Sequence, residues 1–170
     1  IYVSSSANNT IGGSVSGAGN TVSANGVAGI YVAGTTSGLV IKGNYIGPAS
    51  SGTAEIMGGA TQDYGVYIEG TVSPVTIGSA VVADRNVIAC NGNGAAAGMG
   101  INVANNNNVI SGNFIGVVAD GKAISSASGI QYYGINLNNS NGNTIGGSSF
   151  AARNVISWNV TYGVYITGVS

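Results

Sequence analysis

Short apolar–polar–apolar triplets, most of them following a glycine, recur at Ile1-Tyr2-Val3, Ile30-Tyr31-Val32, Val66-Tyr67-Ile68, Ile101-Asn102-Val103, Ile135-Asn136-Leu137 and Val164-Tyr165-Ile166. Their starts lie 29, 36, 35, 34 and 29 residues apart. Two further apolar beats fall between triplets, the first at Ile11, Ile41, Ile77, Ile110 and Ile145, the second at Val22, Ile46, Ile88, Ile115 and Ile156. Alternation within each beat has period two, the residues are mostly β-branched, and Gly or Asn at the borders breaks any helix. The pattern predicts three short strands per period.

Two kinds of period alternate. From the second beat to the third the spacing is 11, 5, 11, 5 and 11 residues, and from the third beat to the next triplet it is 8, 20, 13, 20 and 8. The repeat is therefore two coils long, with starts at residues 1, 66 and 135, in one domain over 1–170. Strands this short bury a core only by stacking on the same strand of the next turn, which makes a parallel β-solenoid of about five coils with neighbouring coils about 4.8 Å apart. The inward column of the first wall is then Ile1, Ile30, Val66, Ile101, Ile135 and Val164, and the two Ile-rich beats face inward from the other walls.

Asparagine recurs in phase with the beats, at Asn9, Asn108 and Asn143 and again at Asn20, Asn44, Asn86, Asn113 and Asn154. Stacked amides hydrogen-bond one another along a solenoid, and Asn and Gly also tolerate left-handed corners, so these residues are expected to be structural ladders. On the third wall the outward positions Thr21, Tyr45, Val87, Phe114 and Val155 are too apolar to face water. The long segments Gly47 to Tyr64 and Gly116 to Tyr133 are expected to lie against that wall and bury Tyr45 and Phe114.

Five phrases, Arg85-Asn-Val-Ile, Arg153-Asn-Val-Ile-Ser, Gly43-Asn-Tyr-Ile-Gly, Gly112-Asn-Phe-Ile-Gly and Asn143-Thr-Ile-Gly-Gly, resemble the signature phrases of right-handed parallel β-helix repeat proteins of bacterial secreted and surface-anchored proteins. The resemblance covers essentially the whole chain. It implies an all-β, right-handed parallel β-helix and an extracellular or cell-surface location. It implies no particular reaction, because related β-helices include adhesins, phage tailspikes, pectate lyases and polygalacturonases.

Charge narrows the chemistry. The chain has four basic and five acidic residues and no histidine, so it has no footprint for nucleic acid and no basic face for a membrane. No apolar run reaches the roughly 20 residues of a membrane-spanning helix, and no membrane insertion is expected. The lone Cys90 has no partner for a disulfide or a Cys-x-x-Cys site and reads as a small packed side chain. A glycosidase needs two carboxylates across a cleft. Glu55 and Asp63 belong to one long loop and Asp120 to the other, two coils away, and no paired-Asp cluster occurs. A lyase would want a calcium site with a basic residue, and Arg85 beside Asp84 is the only such pairing along the chain. Arg85 and Arg153 share a phase of the repeat, as structural corner residues do. No cofactor and no metal are expected, the serines lack a base to activate them, and no enzyme activity is expected.

What remains is surface. The outward position of the first wall reads Tyr2, Tyr31, Tyr67, Asn102, Asn136 and Tyr165, a column of rings and amides suited to the apolar faces and hydroxyls of a polysaccharide, or simply stacked for stability. On the second wall Thr10, Thr76 and Thr144 alternate with Val40 and Val109, which disfavours an ice-binding threonine array. The first and last triplets share a phase and neither is followed by a cap, so further coils or copies of the chain stacked end to end are the expected partners. The sequence thus reads as a noncatalytic extracellular structural or adhesive module, part of a larger surface protein or a fibre. A carbohydrate-active β-helix, whether binding protein, lyase or hydrolase, is the alternative.

Overall fold

A computed structural model describes residues 1–54, 62–92, 98–123 and 130–168. The chain is a parallel β-helix with three walls. The first wall is a six-stranded sheet of β1 (Tyr2–Ser4), β4 (Ala28–Ala33), β7 (Tyr64–Ile68), β10 (Met99–Val103), β13 (Tyr133–Asn138) and β16 (Tyr162–Thr167). The second has five strands, β2 (Thr10–Gly12), β5 (Val40–Lys42), β8 (Thr76–Ile77), β11 (Val109–Ile110) and β14 (Thr144–Ile145). The third holds β3 (Thr21–Val22), β6 (Tyr45–Ile46), β9 (Val87–Ile88), β12 (Phe114–Ile115) and β15 (Val155–Ile156). Neighbouring strands are one coil apart in sequence and pair in parallel, placing the inward triplet residues in one column from Ile30 through Val66 and Ile101 to Ile135.

The core is this column together with the isoleucines of the other two walls. Ile30, Val66, Ile101 and Ile135 are fully buried, as are Ile41, Ile77 and Ile110 of the second wall and Ile46, Ile88 and Ile115 of the third. In the outermost coils Ile1 and Val164 are 46% and 37% exposed. The glycines that precede the four inner triplets, Gly29, Gly65, Gly100 and Gly134, are forced by this packing. A Cβ on Gly65 would sit 2.5 Å from the carbonyl oxygen of Gly100 and 2.7 Å from Cγ2 of Ile88, so any side chain there would push the first wall away from the third.

Two amide ladders brace the corners. At the second corner Nδ2 of Asn20, Asn44, Asn86 and Asn113 donates to Oδ1 of the next Asn in the column, at 2.9, 3.0, 2.9 and 3.3 Å, ending at Asn154. The same Oδ1 atoms accept the backbone N–H of the preceding rung, and a second Nδ2 proton reaches a core carbonyl, Asn86 to Ile41 and Asn113 to Ile77. These buried amides are thus fully satisfied, which is what makes a polar column tolerable inside the solenoid. At the third corner the ladder alternates residue types: Asn25 donates to Gln62, Gln62 to Asn91, Asn91 to Gln131 and Gln131 to Asn159, at 2.7 to 3.0 Å.

The first corner departs from the sequence expectation. Leu39 and Val75 stand where Asn9, Asn108 and Asn143 stand in other coils, and both are 1% exposed within the core. The ladder there is a single rung, from Asn108 Nδ2 to Asn143 Oδ1 at 2.8 Å, while Asn9 turns to Ser6. The left-handed corner positions fall to the residues immediately before Asn9, Asn108 and Asn143, namely Asn8, Asn107 and Gly142, with φ of 56°, 62° and 66°. Ladder and corner are therefore separate jobs done by separate residues.

The described parts of the two long segments lie over the third wall. Gly52 packs against the ring of Tyr45, where a Cβ would come within 2.8 Å of Cζ, and its carbonyl accepts the N–H of Ala119 from the other segment at 2.8 Å. The guanidinium of Arg85 lies 4.1 Å from the centre of the Phe114 ring. Val87 is buried, but Tyr45 and Phe114 stay half-buried, less covered than the sequence leads one to expect. Residues 55–61 and 124–129, which complete these segments, lie outside the described residues, and Glu55 with them.

Candidate functional site

The outward column of the first wall is in register: Tyr2 pairs with Tyr31, Tyr31 with Tyr67, Tyr67 with Asn102, Asn102 with Asn136 and Asn136 with Tyr165. Strand alternation fixes this, because the flanking residues of each triplet are claimed by the core. A second column lies beside it three residues earlier in each strand, with Tyr64, Met99, Tyr133 and Tyr162 in register. Each immediately precedes the glycine that leads into the triplet.

The rings form two groups. In the first, Tyr31 lies between Tyr2 and Tyr67 with ring centres 5.5 and 4.9 Å away, and Tyr64 meets Tyr67 edge-on at 5.0 Å. In the second, Tyr165 stacks on Tyr133 at 4.8 Å and on Tyr162 at 5.3 Å, nearly parallel to both. The Tyr31 hydroxyl donates to Oε1 of Glu69 at 2.6 Å, and this bond to a carboxylate, with burial and charge adding to it, pushes the phenol up to about 12. Burial first, and then the neighbouring phenols, raise Tyr133.

Between the groups stand Asn102 and Asn136, 6% and 7% exposed. Asn136 Nδ2 donates to Asn102 Oδ1 at 2.6 Å and touches Met99 Sδ at 3.6 Å. Asn136 Oδ1 is the one buried side-chain polar atom among the described residues with no hydrogen-bond partner.

The charged residues sit elsewhere and tie coils together. Asp84 and its sequence neighbour Arg85, at the end of the short 3-10 turn Val82–Asp84, take different partners. Arg85 Nε donates to the carbonyl of Gly112 at 3.1 Å and covers Phe114. Asp84 accepts from the hydroxyls of Ser14 at 2.5 Å and Ser79 at 2.7 Å, and its Oδ1 lies 3.4 Å from Nζ of Lys42. Burial pushes the Asp84 carboxyl up, but those hydroxyls and the ammonium outweigh it and hold it below the usual carboxylate value. Asp120 pairs with Lys122 of its own loop at 2.9 Å, and Arg153 covers Phe150. Among the described residues no three His, Cys, Asp or Glu side chains come together as a metal site would require.

Sequence reasoning found the column but missed the second row of tyrosines and the Asn–Gln ladder. Signals for both were present. A large side chain precedes the glycine in Tyr64-Gly, Met99-Gly, Tyr133-Gly and Tyr162-Gly, and the chain's two glutamines, Gln62 and Gln131, stand at one phase of the two-coil repeat. Comparison with protein-family models, with curated proteins and with solved structures gave no match, so the geometry of the wall stands as the ground for a functional reading.

Proposed function

We propose that the chain is a noncatalytic structural or adhesive module of an extracellular protein, its ladders serving as a rigid shaft and its first wall as the presenting face. The observation that carries this reading is how seven of the nine charged side chains are engaged; Glu55 lies outside the described residues and Asp63 sits beside Tyr64. Asp84, Glu69, Asp120, Lys42, Lys122, Arg85 and Arg153 each contact a neighbour that braces a coil, a corner or a loop. A hydrolase or lyase needs acid and base groups converging on a substrate, and these groups are dispersed over different corners. The extracellular setting rests on the resemblance of the Arg-Asn-Val-Ile and Gly-Asn-Tyr-Ile-Gly phrases to secreted β-helix repeats.

The test is incubation with pectin, alginate and bacterial capsular polysaccharides, read for new reducing ends and unsaturated products. The proposal expects none. Product formation abolished by Asp84→Ala or Asp120→Ala would overturn it in favour of a carbohydrate-active β-helix.

A further inference from the structure

We infer that the step between the two tyrosine groups, at Asn102 and Asn136, recognises a hydroxyl of a neutral glycan, with Asn136 Oδ1 as acceptor. The inference rests on the noncatalytic adhesive reading and gives it a ligand class and a contact point.

In both corner ladders the side-chain amide oxygens of the inner rungs are filled, often twice, by the neighbouring coil. The outward pair breaks that rule. Asn136 gives its amide hydrogen to Asn102, and the next coil offers Tyr165 rather than another amide, so Oδ1 is left buried without a donor. A buried acceptor without a donor has lost its water and gained nothing in return, so a ligand that supplies a hydrogen gains more there than at an exposed oxygen.

The surroundings select the donor. Tyr31 is covered by rings on both sides, so the column does not offer its faces along its whole length. Between the end rings Tyr2 and Tyr165, ring cover fails where the amides interrupt it, after Tyr67. The column itself holds no charged residue, and the charges beside it, Glu69 on Tyr31 and Asp63 next to Tyr64, are both negative, so an anionic glycan is repelled and a neutral one is favoured. A peptide strand would seek an open sheet edge, and this is a sheet face. A glycan fits both parts of the step: its hydroxyl donates to Oδ1, and its C–H faces pack on flanking rings. Coils about 4.8 Å apart also match the length of one sugar in an extended chain running along the axis. Met99 lies half-buried over the pair, and its unbranched thioether is the side chain able to move aside.

The experiment titrates the whole chain with cellohexaose, xylohexaose, chitohexaose and maltohexaose while following side-chain amide resonances by NMR. At least one glycan is expected to shift Asn102 and Asn136, with Asn136→Leu weakening its affinity about tenfold and Thr144→Ala on the second wall leaving it unchanged. The side-chain carbonyl carbon of Asn136 in the unmodified chain, which responds when Oδ1 accepts a hydrogen bond, keeps the test decisive if the variant fails to fold. Absence of binding, shifts confined to other walls, or affinity indifferent to Asn136→Leu would overturn the site. Cleavage of a glycan would instead overturn the noncatalytic reading beneath it.

Discussion

Ser14 Oγ donates to Asp84 Oδ1 at 2.5 Å across 70 residues of sequence, joining the first coil to the third, while Lys42 of the coil between reaches both. The contact makes the second corner a clamp spanning three coils. Its carboxyl titrates below the usual range, so the clamp contributes stability above the unfolded value of about 4 and loses it as pH falls through the folded value. The urea midpoint is therefore expected to hold steady from neutral pH to about pH 5 and to drop below about pH 4. Asp84→Asn should flatten that acid limb and cost about 1–3 kcal/mol at neutral pH. An acid limb unchanged by Asp84→Asn would show that other carboxyls set it.

Asn86 sits at the centre of the second-corner ladder and is fully buried. Asn86→Ala strands the backbone N–H of Asn44 and one of its two Nδ2 protons, the other staying on the carbonyl of Ile11, and is expected to cost about 3–5 kcal/mol in urea unfolding. Asn20→Ala, at the exposed end of the same column, strands neither and should cost about 1 kcal/mol or less.

At the third corner, side-chain length is the variable. Gln131→Asn removes the methylene that lets one amide reach both Asn91 and Asn159, and is expected to cost about 2 kcal/mol with the secondary structure retained by circular dichroism. Equal stability of this variant and the parent would mean that the backbone shifts to close the gap.

The Tyr31–Glu69 bond predicts an alkaline signature. A raised phenol contributes stability below the unfolded value of about 10 and loses it as pH rises through about 12. Glu69→Gln should bring the Tyr31 ring resonance back toward ordinary phenol titration. If that resonance titrates identically in the variant, the hydrogen bond is not its cause.

The strand phase was legible because each wall demands a β-branched residue in the same place on every turn, as Ile41, Ile77 and Ile110 show. The second-corner ladder was legible for the same reason, since Asn44, Asn86 and Asn113 recur without substitution. The first corner was not, because Leu39 and Val75 fill the same space as an amide by apolar packing, and either solution satisfies the backbone. The pairing of Asp84 with Lys42 of the preceding coil was not legible either, since nothing along the chain marks which side chains of neighbouring coils meet at a corner. In the outward column the residues were legible but their grouping was not. That two rings would sandwich Tyr31, and that Asn136 would be left with an unfilled oxygen, depends on side-chain rotation about the wall.

The alternation of asparagine and glutamine at the third corner has a meaning for how such a molecule diversifies. Asn25, Asn91 and Asn159 follow their strands by three residues, whereas Gln62 and Gln131 follow theirs by 16, after the long excursions. Whatever path the chain takes in between, the longer side chain restores the amide contact when it returns. The amide stacking at the return corner is thereby carried by the glutamine and not by the excursion, so a change within the excursion reaches the coils through its contacts with Tyr45 and Phe114 and leaves the ladder's own order to its amides.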